Sequence, residues 1–390
     1  MLKQLKEINI KFRIIFLLFI KLNIIDKRNL ANNNYFSKNI TKYINIRPFS
    51  DLFNRTTIKE KTILIIELNK FHHECTPGYS KYFLDLGFKV DNLMHTSGID
   101  SFSLFREIKN VNFLTFDNLN QIEKNSKNLS LVIRKYDFIL LQSTNIKQKK
   151  LYIELGLLNK NNTFFVFHEI LFNDTDFIKY FNQKRIWALG RISKGLVVNP
   201  HFFGDIKIKD KNDKTKFFMT STIQRNYKNV IESAYRLKEE NFNFEIIITG
   251  RSNIFNSKNI PNYLKENFIF KHFAPYSELY QSVINSDYII IPLDPKDEND
   301  KLYKNVKVTG SIQLVYGFLK PPIINQEFAD FYNLSIKNSL LYNDFNLFNI
   351  MKKAVLLDNK DYKKLQRNIK YIEKDIYKLS INNIKNVIHQ

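Results

Sequence analysis

The chain has 390 residues, enough for two or three domains, and its 44% hydrophobic and 14% aromatic content, with 35 Phe and 20 Tyr, excludes intrinsic disorder. Only 10 Gly and 9 Pro exclude collagenous and low-complexity classes, and the single cysteine, Cys75, excludes an intrachain disulfide and a cysteine metal cluster, which fits a reducing compartment. Lys and Arg number 60 against 38 Asp and Glu, leaving +22, a balance suited to anionic partners: nucleic acid, anionic lipid or phosphorylated substrates. The chain is also crowded with Lys, Asn, Ile and Phe, as AT-rich coding sequence tends to be, and this weakens the nucleic-acid reading.

The excess is uneven. Residues 1–58 carry eleven Lys and Arg against Glu7, Asp26 and Asp51, a net +8. The long apolar run in this leader, residues 14–20, is far shorter than the roughly 20 residues of a membrane-spanning helix. Three readings stay open: a basic, apolar helix lying on an anionic membrane face, a plain packed helix, or a signal peptide opening on Lys3, Lys6, Lys11 and Arg13. No small-residue cleavage site follows Ile25, which speaks against the last.

From Lys61 onward short apolar runs alternate with amphipathic stretches, the pattern of α/β architecture with parallel sheets. A first set of strands is predicted at 63–67, 88–93, 112–116, 138–141, 163–167 and 196–199, and a second at 216–219, 244–249, 268–271, 288–291, 322–325 and 339–342. Helices fall between them. Tyr79, Tyr82, Phe83 and Leu86 follow the helical spacing, as do Ile312, Val315, Tyr316 and Leu319.

Two Rossmann-like halves follow: residues 59–205 and 206–360, with the leader before them and helices over 361–390 packing back on the body. The polar stretch 205–214 separates the two strand sets, and Leu365, Ile369, Ile372, Ile376 and Leu379 make one stripe on the terminal helix. Ligands of open parallel sheets bind beyond the carboxyl ends of the strands, so a cleft between the halves is the expected site.

The second half carries a recognisable succession. Phe217-Phe218-Met219-Thr220, Gln224-Arg225-Asn226-Tyr227-Lys228-Asn229, Ile246-Ile247-Ile248-Thr249-Gly250-Arg251 and Pro275-Tyr276-Ser277-Glu278-Leu279 come in order. They are followed by Ser286-Asp287-Tyr288-Ile289-Ile290-Ile291-Pro292, Thr309-Gly310-Ser311 and Gly317-Phe318-Leu319-Lys320-Pro321. Over residues 215–357 this resembles the C-terminal domain of group 1 glycosyltransferases, family 4-like enzymes of the GT-B fold. The first half resembles them loosely, through Phe71-His72-His73-Glu74, Pro77-Gly78 and residues 82–90.

The resemblance implies a nucleotide-sugar donor bound by the second half, with no cofactor and no metal required. A departing diphosphate needs cations and helix-start N–H groups. The resemblance puts those contacts at Arg225 and Lys228, with Arg251, Tyr276 and Asp294 as further donor contacts. Thr309, Gly310 and Ser311 offer an unhindered helix start to an anion, with Lys304 and Lys307 close by in sequence. As plain chemistry, the same residues also read as a solvated basic turn and an ordinary helix cap.

Many retaining relatives carry two glutamates around this loop, which here would fall on Val306 and Leu314, and some carry a Gly-Ser helix start instead. Asp294 and Glu298 are the nearest acids. Retaining transfer remains the expectation that the family carries.

In the first half His72, His73 and Glu74 follow the first strand and His168-Glu169 closes the strand at 163–167, so imidazoles are expected at the cleft as bases or hydrogen-bond partners. Neither group has metal-ligand spacing. A Gly-rich dinucleotide fingerprint is absent near the first strand, which argues against an NAD enzyme.

The favoured reading is a glycosyltransferase in bacterial surface glycan synthesis. Its acceptor would be a polysaccharide or lipid-linked glycan, at the cytoplasmic face of the plasma membrane. The alternatives are another GT-B enzyme, such as a nucleotide-sugar epimerase or a phosphorylase, and a nucleic-acid-binding protein. The last lacks a groove-reading or RNP-like motif, so nucleic acid is not an expected partner.

Overall fold

The computed structural model describes residues 45–54, 61–105, 111–158, 160–169, 183–191, 195–221, 227–250, 256–343 and 346–388. Arg225, Arg251 and the leader up to residue 44 lie outside them. The chain divides into two compact units, Met1–Asn45 and Ile46–Gln390, and the second holds almost everything described below.

Eight strands form the first sheet: β1 (Asn45–Pro48), β2 (Thr62–Glu67), β3 (Lys89–His95), β4 (Val111–Phe116), β5 (Phe138–Leu141), β6 (Thr163–Phe167), β7 (Ile186–Ala188) and β8 (Leu196–Val197). Their order is β1-β4-β3-β2-β5-β6-β7-β8, with parallel pairing from β4 through to β8. The second sheet holds β9 (Thr215–Ser221), β10 (Phe244–Gly250), β11 (Phe268–His272), β12 (Tyr288–Ile291), β13 (Pro322–Asn325) and β14 (Leu340–Tyr342). Its order, β11-β10-β9-β12-β13-β14, is parallel throughout. In both sheets the strand order reverses beside the first central strand, the position at whose carboxyl end open parallel sheets bind ligands.

Burial explains why the central strands read so clearly. All six residues of β2 are buried, as a parallel strand covered by helices on both faces requires, and each buried Ile or Leu side chain contributes about 1.5–3 kcal/mol. Glu67 ends that strand only 1% exposed, an acid taken inside with the apolar run. Two strands of the structure are not among those expected from the sequence. Strand β1 is exposed at all four residues, and β7 is only three residues long. What holds β7 is aromatic packing: the fully buried Trp187 stacks on Phe164 at 4.8 Å and on Phe83 at 6.2 Å.

Phe83 belongs to helix α1 (Thr76–Asp85), which starts with Pro77 in its first turn and buries Tyr79, Tyr82 and Phe83 against the sheet. The remaining helices used here are α2 (Lys228–Glu239), α3 (Tyr276–Asn285), α4 (Ser311–Phe318) and α5 (Asn359–Ile388). Helix α4 ends one residue before the apolar pattern does, because Leu319 turns left-handed (φ 54) ahead of the two prolines at 321 and 322.

Helix α5 packs back on both sheets. Near its start Tyr362 donates to the Asp287 carbonyl at 2.9 Å, and farther on Ser380 accepts from the Asn199 amide at 3.0 Å. Its buried face is Tyr362, Leu365, Gln366, Ile369, Ile376, Ser380 and Ile384. Leu379, expected on this stripe, is 47% exposed: Ser380, one position on, takes the inward place to cap the Asn199 amide. No helix among the described residues is long and apolar enough to cross a membrane.

Candidate active-site cleft

The loop after β2 forms one wall. His72 adopts a left-handed backbone (φ 68, ψ 12), an uncommon conformation for a residue with a side chain, and the chain then enters the short turn His73–Cys75 that leads into α1. This bend sends the two histidines in different directions. His73 is fully buried, and its ring lies so close to Gly98 that a Cβ there would meet the ring at 2.6 Å. The His72 side chain is 44% exposed and stacks on His168, with ring centroids 4.0 Å apart and the planes tilted by 36°.

His168 follows the carboxyl end of β6, and its Nε2 lies 3.2 Å from the Gln142 carbonyl oxygen and 3.1 Å from the Ser143 hydroxyl. Burial, reinforced by neighbouring His72, pushes its pKa down to about 3, so the imidazole is neutral near pH 7. Glu74 lies on the other side of His72, with Nδ1 to Oε1 at 3.5 Å. Burial pushes the Glu74 carboxyl upward, but the hydrogen bond and charge of His72 outweigh it and hold the group at about 2. A neutral imidazole and a carboxylate thus stand within one small cluster.

Beneath them lies Glu67. Its Oε1 accepts from the Asn69 amide at 2.8 Å, and its Oε2 accepts from Gln142 Nε2 at 3.1 Å and from the Ser143 hydroxyl at 2.5 Å. Burial nevertheless raises its pKa to about 7, against the opposing pull of the Ser143 bond and the His72 charge. The sequence reading passed over Glu67, Gln142 and Ser143. The available signal was an acid ending an otherwise apolar strand.

The second half supplies the facing wall, and four contacts join the two. The Tyr276 hydroxyl donates to Glu74 Oε2 at 2.9 Å, and the Ser277 amide donates to Asp100 Oδ2 at 2.7 Å, so an acid of the first half caps helix α3 of the second. Lys307 pairs with Glu169 at 2.9 Å, and the Val308 amide donates to the His168 carbonyl at 3.4 Å. The segments in these contacts follow β2, β3 and β6 of one sheet and β11 and β12 of the other, so the strands' carboxyl ends meet in one cleft.

Thr309 and Ser311 come directly after Val308, both buried, and the Ser311 hydroxyl lies 3.0 Å from that of Thr220 at the end of β9. Gly310 between them is different: a Cβ placed there would meet nothing within 4 Å. Open space therefore lies at the start of α4, where the helix's positive end favours an anion. Gln313, 1% exposed in the first turn of α4, keeps both amide atoms without a hydrogen-bond partner.

The cleft gathers His72, His168, Tyr276, Thr309, Gly310 and Ser311, while His73 packs inward beside it. Lys228 opens helix α2 with its side chain 74% exposed and lies 3.7 Å from Glu232 one turn on. Asp294 turns into its own loop, where its carboxylate accepts from the Lys296 amide at 2.8 Å. Glu298 is 83% exposed and pairs with Lys301, and Lys304 pairs with Glu327. Among the described residues no group of three or more His, Cys, Asp or Glu is placed to hold a metal ion.

No protein-family model matches the sequence, and no curated protein matches it. Solved structures do match the fold. A glycosyltransferase from Rickettsia africae ESF-5 superposes with a TM-score of 0.51 at 13% identity, covering 85% of this chain and 97% of its own. An alpha-glucosyltransferase solved with UDP and a 13-mer DNA containing an HMU base gives 0.51 at 10% identity, covering 81% and 99%. At such low identity the likeness concerns architecture alone. With two parallel, Rossmann-like sheets meeting at their carboxyl ends, the chain has the GT-B fold of those glycosyltransferases.

Proposed function

We propose that the protein is a glycosyltransferase that moves a sugar from a nucleotide-sugar donor to a glycan or lipid-linked acceptor. The observation that carries this reading is the pairing of two unlike walls: a neutral imidazole beside a carboxylate on one, and an open helix start at Gly310 on the other.

The reaction breaks the bond between the sugar's anomeric carbon and the diphosphate, forms a new one to an acceptor oxygen, and releases the acceptor's proton. The start of α4 holds the diphosphate through its N–H groups, aided by Arg225, Lys228 and Arg251. Charge grows on that diphosphate as the bond breaks, so these contacts strengthen toward the transition state. His72 and His168 receive the acceptor hydroxyl, and Glu74 keeps the His72 ring in place. No metal is required in this scheme, because cations and helix N–H groups supply the positive charge.

The acceptor half is residues 59–205, the donor half is residues 206–360, and the helices over 361–390 tie them. The basic leader supports work at the cytoplasmic membrane face on a surface polysaccharide or its lipid-linked precursor. A retaining course rests on the family resemblance and is read from the anomeric coupling of the product by proton NMR.

The test is incubation of the full chain with a panel of UDP-, GDP-, TDP- and CMP-sugars, following binding by thermal shift and turnover by release of the nucleotide. Release that depends on an acceptor supports the reading. An epimerised donor with no acceptor dependence, or phosphorolysis of a glycan, supports the other GT-B activities instead. Absence of any nucleotide effect counts against both the transferase and the epimerase.

A further inference from the structure

We infer that Glu67 and Ser143 are positioning residues for His168, holding its imidazole in the tautomer with the proton on Nε2 so that the lone pair sits on Nδ1.

The hydrogen-bond directions settle one another. The Gln142 carbonyl oxygen can only accept, so His168 Nε2, 3.2 Å away, must donate. The Ser143 oxygen, 3.1 Å from the same nitrogen, then receives from it and must send its own proton elsewhere. Glu67 Oε2 lies 2.5 Å from that hydroxyl and accepts its hydrogen bond. Glu67 is held to this duty by two donors that cannot reverse, the Asn69 amide on Oε1 and Gln142 Nε2 on Oε2. Every partner of the carboxylate named here donates, so its ionised form is the one the site is built around.

Ser143 and Glu67 are 5% and 1% exposed, so neither stands in the open cleft, and both act through His168. A neutral imidazole has one donor and one acceptor nitrogen, and committing Nε2 to donation leaves Nδ1 as the base or acceptor. Only the catalytic consequence rests on the proposed sugar transfer. The tautomer itself can be read without turnover.

The experiment uses full-length protein labelled with 15N-histidine at pH 8, where Glu67 is ionised, with His168 assigned by the signal lost in His168→Gln. Two-bond 15N–1H correlation spectra of the wild type should show His168 with the proton on Nε2. A proton on Nδ1, or an equal mixture, overturns the inference outright. In Ser143→Ala the Nε2-protonated fraction should drop because only the Gln142 carbonyl at 3.2 Å remains as acceptor. In Glu67→Gln it should drop because the Ser143 hydroxyl loses the carboxylate that holds its proton away from His168, and Ser143→Thr, which keeps the hydroxyl, should restore it. An unchanged tautomer in both deletion variants, with melting showing them folded, removes Glu67 and Ser143 from the role.

If sugar transfer is established, Ser143→Ala should lower kcat on the order of 10-fold with the donor KM kept, and Ser143→Thr should recover it. Equal activity of Ser143→Ala and wild type would overturn the catalytic part alone. Absence of sugar transfer altogether would leave the spectra to decide the tautomer.

Discussion

His72 and His168 stack with their ring centroids 4.0 Å apart, although 96 positions separate them in the chain, and they meet because β2 and β6 end on the same side of one parallel sheet. That contact helps keep His168 neutral, since a second positive charge beside His72 is unfavourable.

His168→Gln should lower kcat on the order of 10²-fold with little change in donor KM, as loss of a general base does. Because burial holds the His168 pKa at about 3, His168 itself should add no acid limb between pH 8 and pH 5, whereas an ordinary imidazole would be protonated below about 6.5; a fall near pH 7 that Glu67→Gln abolishes belongs to Glu67. The check is a kcat profile across this range. An acid limb near pH 6.5 that survives Glu67→Gln but disappears in His168→Gln would show that the ring titrates normally. Stability carries the same sign: between pH 6.5 and 3 the unfolded chain takes up a proton that folded His168 refuses, so stability falls as pH falls, and His168→Gln flattens that slope.

Glu67 has the opposite linkage. Its pKa is raised from 4.5 to about 7, so the stability tied to its proton is fully present below pH 4.5 and is lost as pH rises through 7. Relative to wild type, Glu67→Gln should therefore gain on the order of 3 kcal/mol between pH 4.5 and 8. Urea unfolding at both pH values measures this difference, and a constant gap would mean that Glu67 titrates as an exposed acid does. Absolute stability is a poorer guide, because the new amide N–H groups face the donors of Gln142 and Asn69.

Gly310→Val separates ligand space from packing. Gly310 has an ordinary helical backbone (φ −59) and open space beyond its Cα, so the substitution should leave the melting temperature within a few degrees of wild type. Donor binding should weaken by 10-fold or more, because the added methyls fill the space at the helix start. Ser311→Ala, which loses the contact to Thr220, should cost about 1 kcal/mol of stability and less affinity. Calorimetric titration with the donor, beside melting, tests both. Unchanged affinity in Gly310→Val would move the diphosphate away from α4.

The cations make a fourth comparison. If Arg225 and Lys228 stabilise the departing diphosphate, each replacement by Ala should lower kcat/KM on the order of 10²-fold. Lys228 is 74% exposed and pairs with Glu232, so a merely solvated side chain predicts wild-type kinetics. Turnover assays on the two variants decide between these outcomes.

Deletion of residues 1–28 tests the leader. The truncated protein should no longer sediment with vesicles of anionic lipid at about 0.1 M salt, while nucleotide binding is kept. Equal sedimentation of both forms would remove the leader as a membrane contact.

The sequence by itself determined the repeating α/β order and the main strands. Residues 138–141, 163–167, 288–291 and 322–325 were predicted to the residue, because a strand covered on both faces must be a short apolar run bounded by polar turns. The blocks around Thr309-Gly310-Ser311 were legible for a similar reason, since a helix start shows in a few adjacent residues. Strand β7 was not, because three residues carry no period and Trp187 is held there by Phe164 and Phe83 from distant segments. Only the tertiary structure decided which histidine faces the cleft, for a left-handed turn at His72 separates neighbours that look equivalent in sequence. It alone revealed Glu67 as a buried acid, because the Gln142 and Ser143 groups that make its burial tolerable come from the end of another strand, brought alongside by parallel pairing of β2 with β5.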